Sequence, residues 1–271
     1  MPSIHPSAIV SPHADLADDV EVGPWAIIEA GAVLGSGCRV LARAMIGGYV
    51  RMGTNNEVGY GAILGADPQD FDFRSGVKSH VIIGHGNIFR EYVTVHRGTK
   101  EGSNTTIGNE NFLMVGAHLG HNVSVGNKVV IVNNCLLAGY VEVQDGAVLG
   151  GGSVYHQFLR IGKLAMVRGG THFSKDIPPY LVAYGSSQVA GINAIGLRRA
   201  GLSAQVRMEL KKAFQLIYRE GFNVTQALEV AQQTKWSPEA QDFFNFIAQA
   251  KRRGICSGST RNHGAQSEEN D

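Results

Sequence analysis

The sequence predicts a mainly β fold: a parallel β-helix of hexapeptide repeats with a C-terminal α-helical domain. Three observations carry this prediction. An aliphatic residue recurs every six positions. A small or β-branched residue stands two places before it. The pattern fades near residue 190. A step of six matches neither the 3.6-residue period of a helix nor the two-residue period of a free strand. It fits a parallel β-helix, in which each hexad forms one flat face and three faces close a coil.

Taken in order, the inward series begins Ile4, Val10, Leu16, Val22, Ile28, Leu34, Val40, Ile46, Met52, Val58, Leu64. A middle run, Ile83, Phe89 and Val95, keeps the step. A second long run goes from Ile107 through Leu113, Leu119 and Val125 to Ile161 and Val167. Cys38 and Cys135 take the small inward slot and so belong to the core. Cys256 has no slot, and no disulfide is expected. Glycine often follows the inward residue, as at Gly35, Gly108 and Gly150, where it is expected to relieve corners of positive φ.

The repeat breaks twice. Residues 66–80 read ADPQDFDFRSGVKSH, and residues 98–106 read GTKEGSNTT. Loops leaving a rigid scaffold tend to carry binding work. The first, with Phe71, Phe73 and its carboxylates, is read as a folded lid or subunit contact. The β-helix with these excursions is assigned to residues 1–190 and the helical domain to 191–256. There, Ser203 is positioned to cap a helix bearing Val206, Leu210, Ala213, Phe214 and Ile217 on one face. Residues 224–234 and 238–253 form two further helical stretches, with Ser237 as cap of the last. The polar tail, 257–271, is expected to be disordered.

The 271 residues carry a formal charge of +1, with 17% charged residues. That gives no strong field for nucleic acid or an anionic membrane. No secretory signal opens the chain and no stretch has transmembrane length. With its thiol pattern, this points to the reducing cytoplasm. Apolar residues outside the inward slots predict oligomerisation through flat outer faces.

Chemistry concentrates in residues 111–126, NFLMVGAHLGHNVSVG. His118 and His121 share one coil, and Gly139 lies one coil beyond His121 with Tyr140 beside it. His156 follows one further coil along. An imidazole is a suitable general base for a hydroxyl, and a glycine N–H nearby is suited to hold an oxyanion.

The segments HRGT (96–99), GAHLGHN (116–122), NNCLLAGYV (133–141), YHQF (155–158), DIPPY (176–180), GLRRAG (196–201) and LIYREG (216–221) appear in this order, with PQD in the first loop. In this the chain resembles the UDP-N-acetylglucosamine 3-O-acyltransferases that open lipid A biosynthesis, from residue 1 to about 250. The resemblance implies a left-handed β-helix and a homotrimer with sites between subunits. It implies transfer of an R-3-hydroxyacyl group from acyl carrier protein to the sugar 3-hydroxyl, with no metal or nucleotide cofactor. Carried over by position, His121 matches the general base, Gly139 the oxyanion donor and His118 a neighbouring histidine. Gln69 and Asp70 match loop residues near the sugar nucleotide. Tyr140, His156, Gln157, Asn193 and Arg199 match other substrate contacts. Gly169 matches the residue that limits acyl-chain length, and with Gly170 leaves room for a long donor.

Four positions depart from the pattern. Asn122 stands for a usual Asp, Tyr140 for a His, Asp72 for a Lys and Ile195 for a Glu. Three alternatives follow from these and from the histidines: a paralogue acting on another nucleotide sugar, such as a 3-amino one; a zinc hydratase resembling γ-type carbonic anhydrases, with His96, His118 and His121; and a non-catalytic scaffold.

Overall fold

The structure is a computed structural model that describes residues 1–250 and 253–258. Very short strands fall in rotation on three sheets of 12, 9 and 8 strands. The first face begins with Ser3–Ile4, the second with Ile9–Val10 and the third with Asp15–Leu16. Each strand pairs in parallel with the one a coil later, Glu21 with Arg39 and Val22 with Val40. The aliphatic residue of each hexad points inward, giving buried columns. Val22, Val40 and Val58 stack behind the first face, Ile28, Ile46 and Leu64 behind the second, Leu34, Met52 and Ile83 behind the third. A face of two residues is unstable alone, so the stack is held by these columns and the ladder between coils.

The glycine after the inward residue has a different role from the one the sequence suggests. Gly35, Gly108 and Gly150 are not at positive φ. A Cβ on Gly108 would stand 2.5 Å from the Gly126 carbonyl oxygen of the next coil. The glycine therefore permits close approach of coils. Positive φ falls two residues later, often on non-glycine residues such as Asn122, Tyr140 and Phe158.

One stretch of core is polar. Asn56, Asn87 and Asn111 occupy small inward slots of three successive coils and are buried. Asn56 Oδ1 accepts from Asn87 N–H and Nδ2. Asn87 Oδ1 accepts in the same way from Asn111. Asn111 Oδ1 accepts from Val129 N–H. Every amide in this ladder is satisfied, as burial requires.

The first excursion lies between strands Ile63–Ala66 and His80–Ile83. Across it, paired residues are 31 apart rather than 18, Glu57 with Ile88. The second leaves after Thr94–His96 and is shorter than expected, because Asn104–Ile107 is already a strand beside His80–Ile83. The expected lid residue Phe71 is fully exposed, whereas Phe73 is partly buried.

At the far end the ladder reverses. Leu181–Tyr184 continues the first face, and Gln188–Ile192 returns antiparallel to it. Ser257–Gly258 then pairs with Gln188 and Val189. These two residues are thus a strand and not tail; residues 259–271 lie outside the described residues. Helix α1 (Ala194–Arg199) was not legible from the periodicity. Helix α2 (Ala204–Tyr218) is capped by Ser203, whose oxygen accepts from Val206 N–H. Helix α3 (Val224–Gln232) opens with a full capping box between Asn223 and Gln226. Helix α4 (Pro238–Ala248) stops five residues before the expected Arg253. Ser237 holds its cap position with Pro238 after it, but its hydroxyl makes no cap bond. Leu210, Phe214, Phe243, Phe244 and Ile247 pack between the helices. Arg160 pins α4 to the β-helix, donating to the Phe246 carbonyl and lying over its ring. Among the described residues no helix is long and apolar enough to cross a membrane.

Candidate active site

The edge where the chain turns from the second face to the third gathers the imidazoles. Leu119 points inward and pairs with Leu137, and Leu137 with Tyr155. Two residues beyond each, His121, Gly139 and Gln157 form one column on successive coils. Gly139 must be bare: a Cβ there would stand 2.5 Å from His121 Nε2. Its N–H has no acceptor among the described residues.

His121 is 6% exposed. Its Nδ1 lies 3.1 Å from Asn122 Oδ1. That oxygen also accepts from the Thr99 N–H and hydroxyl. A backbone N–H only donates, so the amide oxygen faces it, and His121 carries its proton on Nδ1. Nε2 keeps its lone pair. It faces the Gln157 amide nitrogen at 3.4 Å and Asp70 Oδ2 at 3.9 Å. The other Asp70 oxygen accepts from Asp72 N–H, which fixes the carboxylate.

The second excursion supports this arrangement. The Thr99 hydroxyl reaches the Tyr140 hydroxyl at 3.2 Å. The Tyr140 ring meets His121 edge-on and stacks on Phe158 at 4.8 Å. Asn122 N–H donates to Thr105 Oγ1, which donates in turn to the His96 carbonyl. Sequence reasoning overlooked Thr105 and Phe158; only the coil register shows that they meet the site.

His118 is a neighbour of a different kind. Burial, with a smaller contribution from the His96 imidazole, pushes its pKa down to about 4. Its Nδ1 meets Thr94 Oγ1, and its ring lies against His96. His96 Nδ1 turns to the Asp67 carbonyl. Among the described residues, no three side chains of metal-binding type converge.

The other expected residues lie apart. His156 is exposed beside Gln157, its Nδ1 near the Gln157 carbonyl. Gln69 is exposed on the first excursion. Asn193 caps α1 with its oxygen and donates to the Leu164 carbonyl with its nitrogen, so both ends of its amide are committed. Arg199 is exposed at the end of α1, and Ile195 is exposed in its first turn. Gly169 follows Val167 of the first face and therefore occupies another edge of the prism. One chain brings together His121, Gly139, Gln157, Asp70 and Tyr140, but not Gly169, Asn193 or Arg199.

A groove of about 940 Å³ borders this cluster through Asn122 and Tyr140 and runs along the third face to α4. Its walls carry Glu142, Asp145, Glu239 and Asp242 against Arg160 and Lys163. Arg160 is paired with Asp176. An acidic groove of this kind repels a diphosphate, so the chemistry is placed by the His121 column and not by groove size.

Over 258 residues the chain is 41% identical to the acyl-(acyl-carrier-protein)–UDP-N-acetylglucosamine O-acyltransferase of Ectopseudomonas mendocina (strain ymp), covering 94% of this chain and 99% of that protein. The chain belongs to the UDP-N-acetylglucosamine O-acyltransferase family. The family profile described as "Udp N-acetylglucosamine O-acyltransferase; Domain 2" matches residues 176–256. Solved structures of the family agree over most of the length. The UDP-N-acetylglucosamine acyltransferase of Francisella novicida superposes with a TM-score of 0.90 at 33% identity, covering 95% of each chain. The enzyme of Bacteroides fragilis 9343 gives 0.88 at 37%, covering 93% of this chain and 99% of its own. The β-helix of this acyltransferase is the left-handed one.

Proposed function

We propose that the protein moves an R-3-hydroxyacyl group from acyl carrier protein to the 3-hydroxyl of UDP-N-acetylglucosamine, the first step of lipid A biosynthesis. Membership of the family supports the reaction class and both substrates. The observation that carries the mechanism is His121 held with its proton on Nδ1 and its Nε2 lone pair beside bare Gly139.

Nε2 takes the proton of the sugar hydroxyl as its oxygen attacks the thioester carbonyl. The carbonyl oxygen becomes an oxyanion, and the free Gly139 N–H is the donor within reach. Collapse breaks the carbon–sulfur bond and expels the carrier's thiolate. The imidazolium returns its proton to that sulfur. Asn122 orients the ring but brings no negative charge to the imidazolium. Asp70 accepts a hydroxyl of the sugar, and Gln157 yields its place on Nε2 to the substrate.

Gly169 lies on another edge of the prism and Asn193 and Arg199 on helix α1, so this reading needs more than one copy. We infer a homotrimer, with the His121 edge of one copy facing the Gly169 edge of another, working in the cytoplasm. The apolar outer residues Ile9, Ile27 and Ile63 of the second face support such contacts. Gly169 and Gly170 then leave the path of the acyl tail open.

Incubation with 3-hydroxyacyl carrier protein and a panel of UDP-sugars, including a 3-amino sugar, tests the reading. Ester formation on UDP-N-acetylglucosamine is the expected result. Transfer confined to the amine would replace the acceptor, and no transfer to either sugar would overturn the activity.

A further inference from the structure

We propose that Arg97 is a positioning residue: it holds the first excursion against the His121 column, so that Asp70 stands where the sugar nucleotide binds. The proposal rests on the acyltransferase reading for the substrate, but the clamp itself stands on geometry.

Register places Arg97 on the same edge as His121, one coil earlier, since Val95 pairs with Leu119. At that position its side chain is 3% exposed. Among the described residues, the hydrogen-bond partners of its side chain all belong to the first excursion or its root. Nε and one terminal nitrogen reach Asp67 Oδ1 at 2.9 and 2.8 Å. The other terminal nitrogen donates to the Val77 carbonyl and to Ser79 Oγ. The guanidinium also lies over the ring of Phe73, 4.9 Å away, and over that of Tyr49 of the β-helix, 4.4 Å away. One buried cation therefore grips the start, middle and end of the excursion. His96 adds a bond to the Asp67 carbonyl.

The stretch that delivers Asp70 has little else to hold it. Among the described residues, the hydrogen bonds of residues 69–76 reach no further than Val77: Asp72 to Asp70, Phe73 to Asp70, Arg74 to the carbonyls of Phe71 and Phe73, and Val77 N–H to the Arg74 carbonyl. Phe71, Asp72, Arg74, Ser75 and Gly76 are exposed. Without the clamp, this segment would swing as one unit about its ends, and Asp70 would leave its place 3.9 Å from His121 Nε2. Lysine cannot replace the arginine. It carries the charge, but not the planar fork that reaches Asp67 and Val77 together or the flat face that lies over two rings.

Two readouts test this, one of them independent of activity. Arg74 is an exposed trypsin site in the excursion. Cleavage there is expected to quicken about tenfold in Arg97→Lys and in Asp67→Ala. Asp67 is 63% exposed, so its loss opens no cavity in the core and acts through Arg97 alone. In turnover, both variants are expected to raise KM for UDP-N-acetylglucosamine by about tenfold or more, with KM for the acyl donor unchanged, as misplacement of a positioned group commonly does. A cycle with Asp70→Asn separates positioning from bulk damage. If Arg97 acts through Asp70, the double variant is no worse than Asp70→Asn alone. Losses that multiply, or an Arg74 site as protected in both variants as in wild type, would overturn the proposal. If the wild type leaves UDP-N-acetylglucosamine untouched, the acyltransferase reading fails, while the trypsin result still decides the clamp.

Discussion

The Nδ1 proton of His121 is decided by a bond two side chains away. Thr99 N–H turns the Asn122 amide oxygen inward, and that oxygen fixes the tautomer that leaves Nε2 basic. His121→Ala should therefore lower kcat by roughly 10²–10⁴, the span of lost general-base catalysis, with the assembly intact; near-normal turnover would remove the assignment. Asn122→Asp supplies a carboxylate where the amide now stands 3.1 Å from Nδ1. A neighbouring negative charge favours imidazolium and raises its pKa. The acidic limb of the pH–rate profile should then move to higher pH; an unmoved limb would contradict the contact. His118 makes a separate prediction. Its pKa falls from 6.5 to about 4, chiefly by burial. The unfolded chain binds the proton at higher pH than the native one, so the stability this group contributes is present above pH 6.5 and lost as pH falls towards 4. His118→Asn should flatten that part of a melting-temperature profile against pH. The histidines and Gly139 were legible in the sequence because a fixed step of eighteen stacks them, and the Asn122 departure because the resemblance to the family sets an Asp there. Thr99 and Thr105 were not, because they sit beside an excursion where that step fails.

The excursions and the asparagine ladder occupy the same coils. Across the two inserts, partners are 31 and then 24 residues apart, and Asn56, Asn87 and Asn111 run straight through both breaks. Each amide offers directional bonds where an aliphatic side chain offers only contact, so the ladder holds register across the joints. Asn87→Ala would leave the Asn111 N–H without its acceptor inside the core and would take the Asn87 Nδ2 donor from Asn56 Oδ1 and the Gly108 carbonyl. A loss of about 3 kcal/mol is expected from unpaired buried polar groups plus the cavity, read as a lower unfolding midpoint in urea. A change under about 1 kcal/mol would show that the ladder is dispensable. Periodicity alone could not foretell this, since asparagine in the small slot breaks the apolar rule that reveals the repeat. The helices behaved the other way. Ser203 was readable because a serine before an apolar 3.6-residue stripe satisfies free N–H groups. Helix α1 was missed because six residues are too few to show a period.

At the scale of the whole molecule, the prism has three edges and the expected site residues use more than one. Light scattering should report the mass of three chains at micromolar concentration; a monomer would rule out a site shared between copies. Gly169→Met tests the path of the acyl tail. A Cβ there would stand 2.9 Å from the Gly151 carbonyl oxygen, a backbone atom that must give way to any side chain, so Gly169→Ala is the control for that shift. Four buried methylenes are worth about 3 kcal/mol, so preference should move by roughly a hundredfold towards a donor four carbons shorter. Equal use of both donors by the variant would argue against the carry-over. The prism could be read from the sequence because one period repeats through it, whereas the way copies meet is written in no period at all. The reversal at its far end has one more consequence. A stack of parallel coils has two open rims that match each other, and such a body could add head to tail without limit. Gln188–Ile192 runs backwards along the last coil of the first face, and Ser257–Gly258 lies outside it. That rim no longer fits the one at Ser3–Ile4. Two molecules meeting through their open rims would use the same surface twice, which ends in a closed pair and never in a fibre.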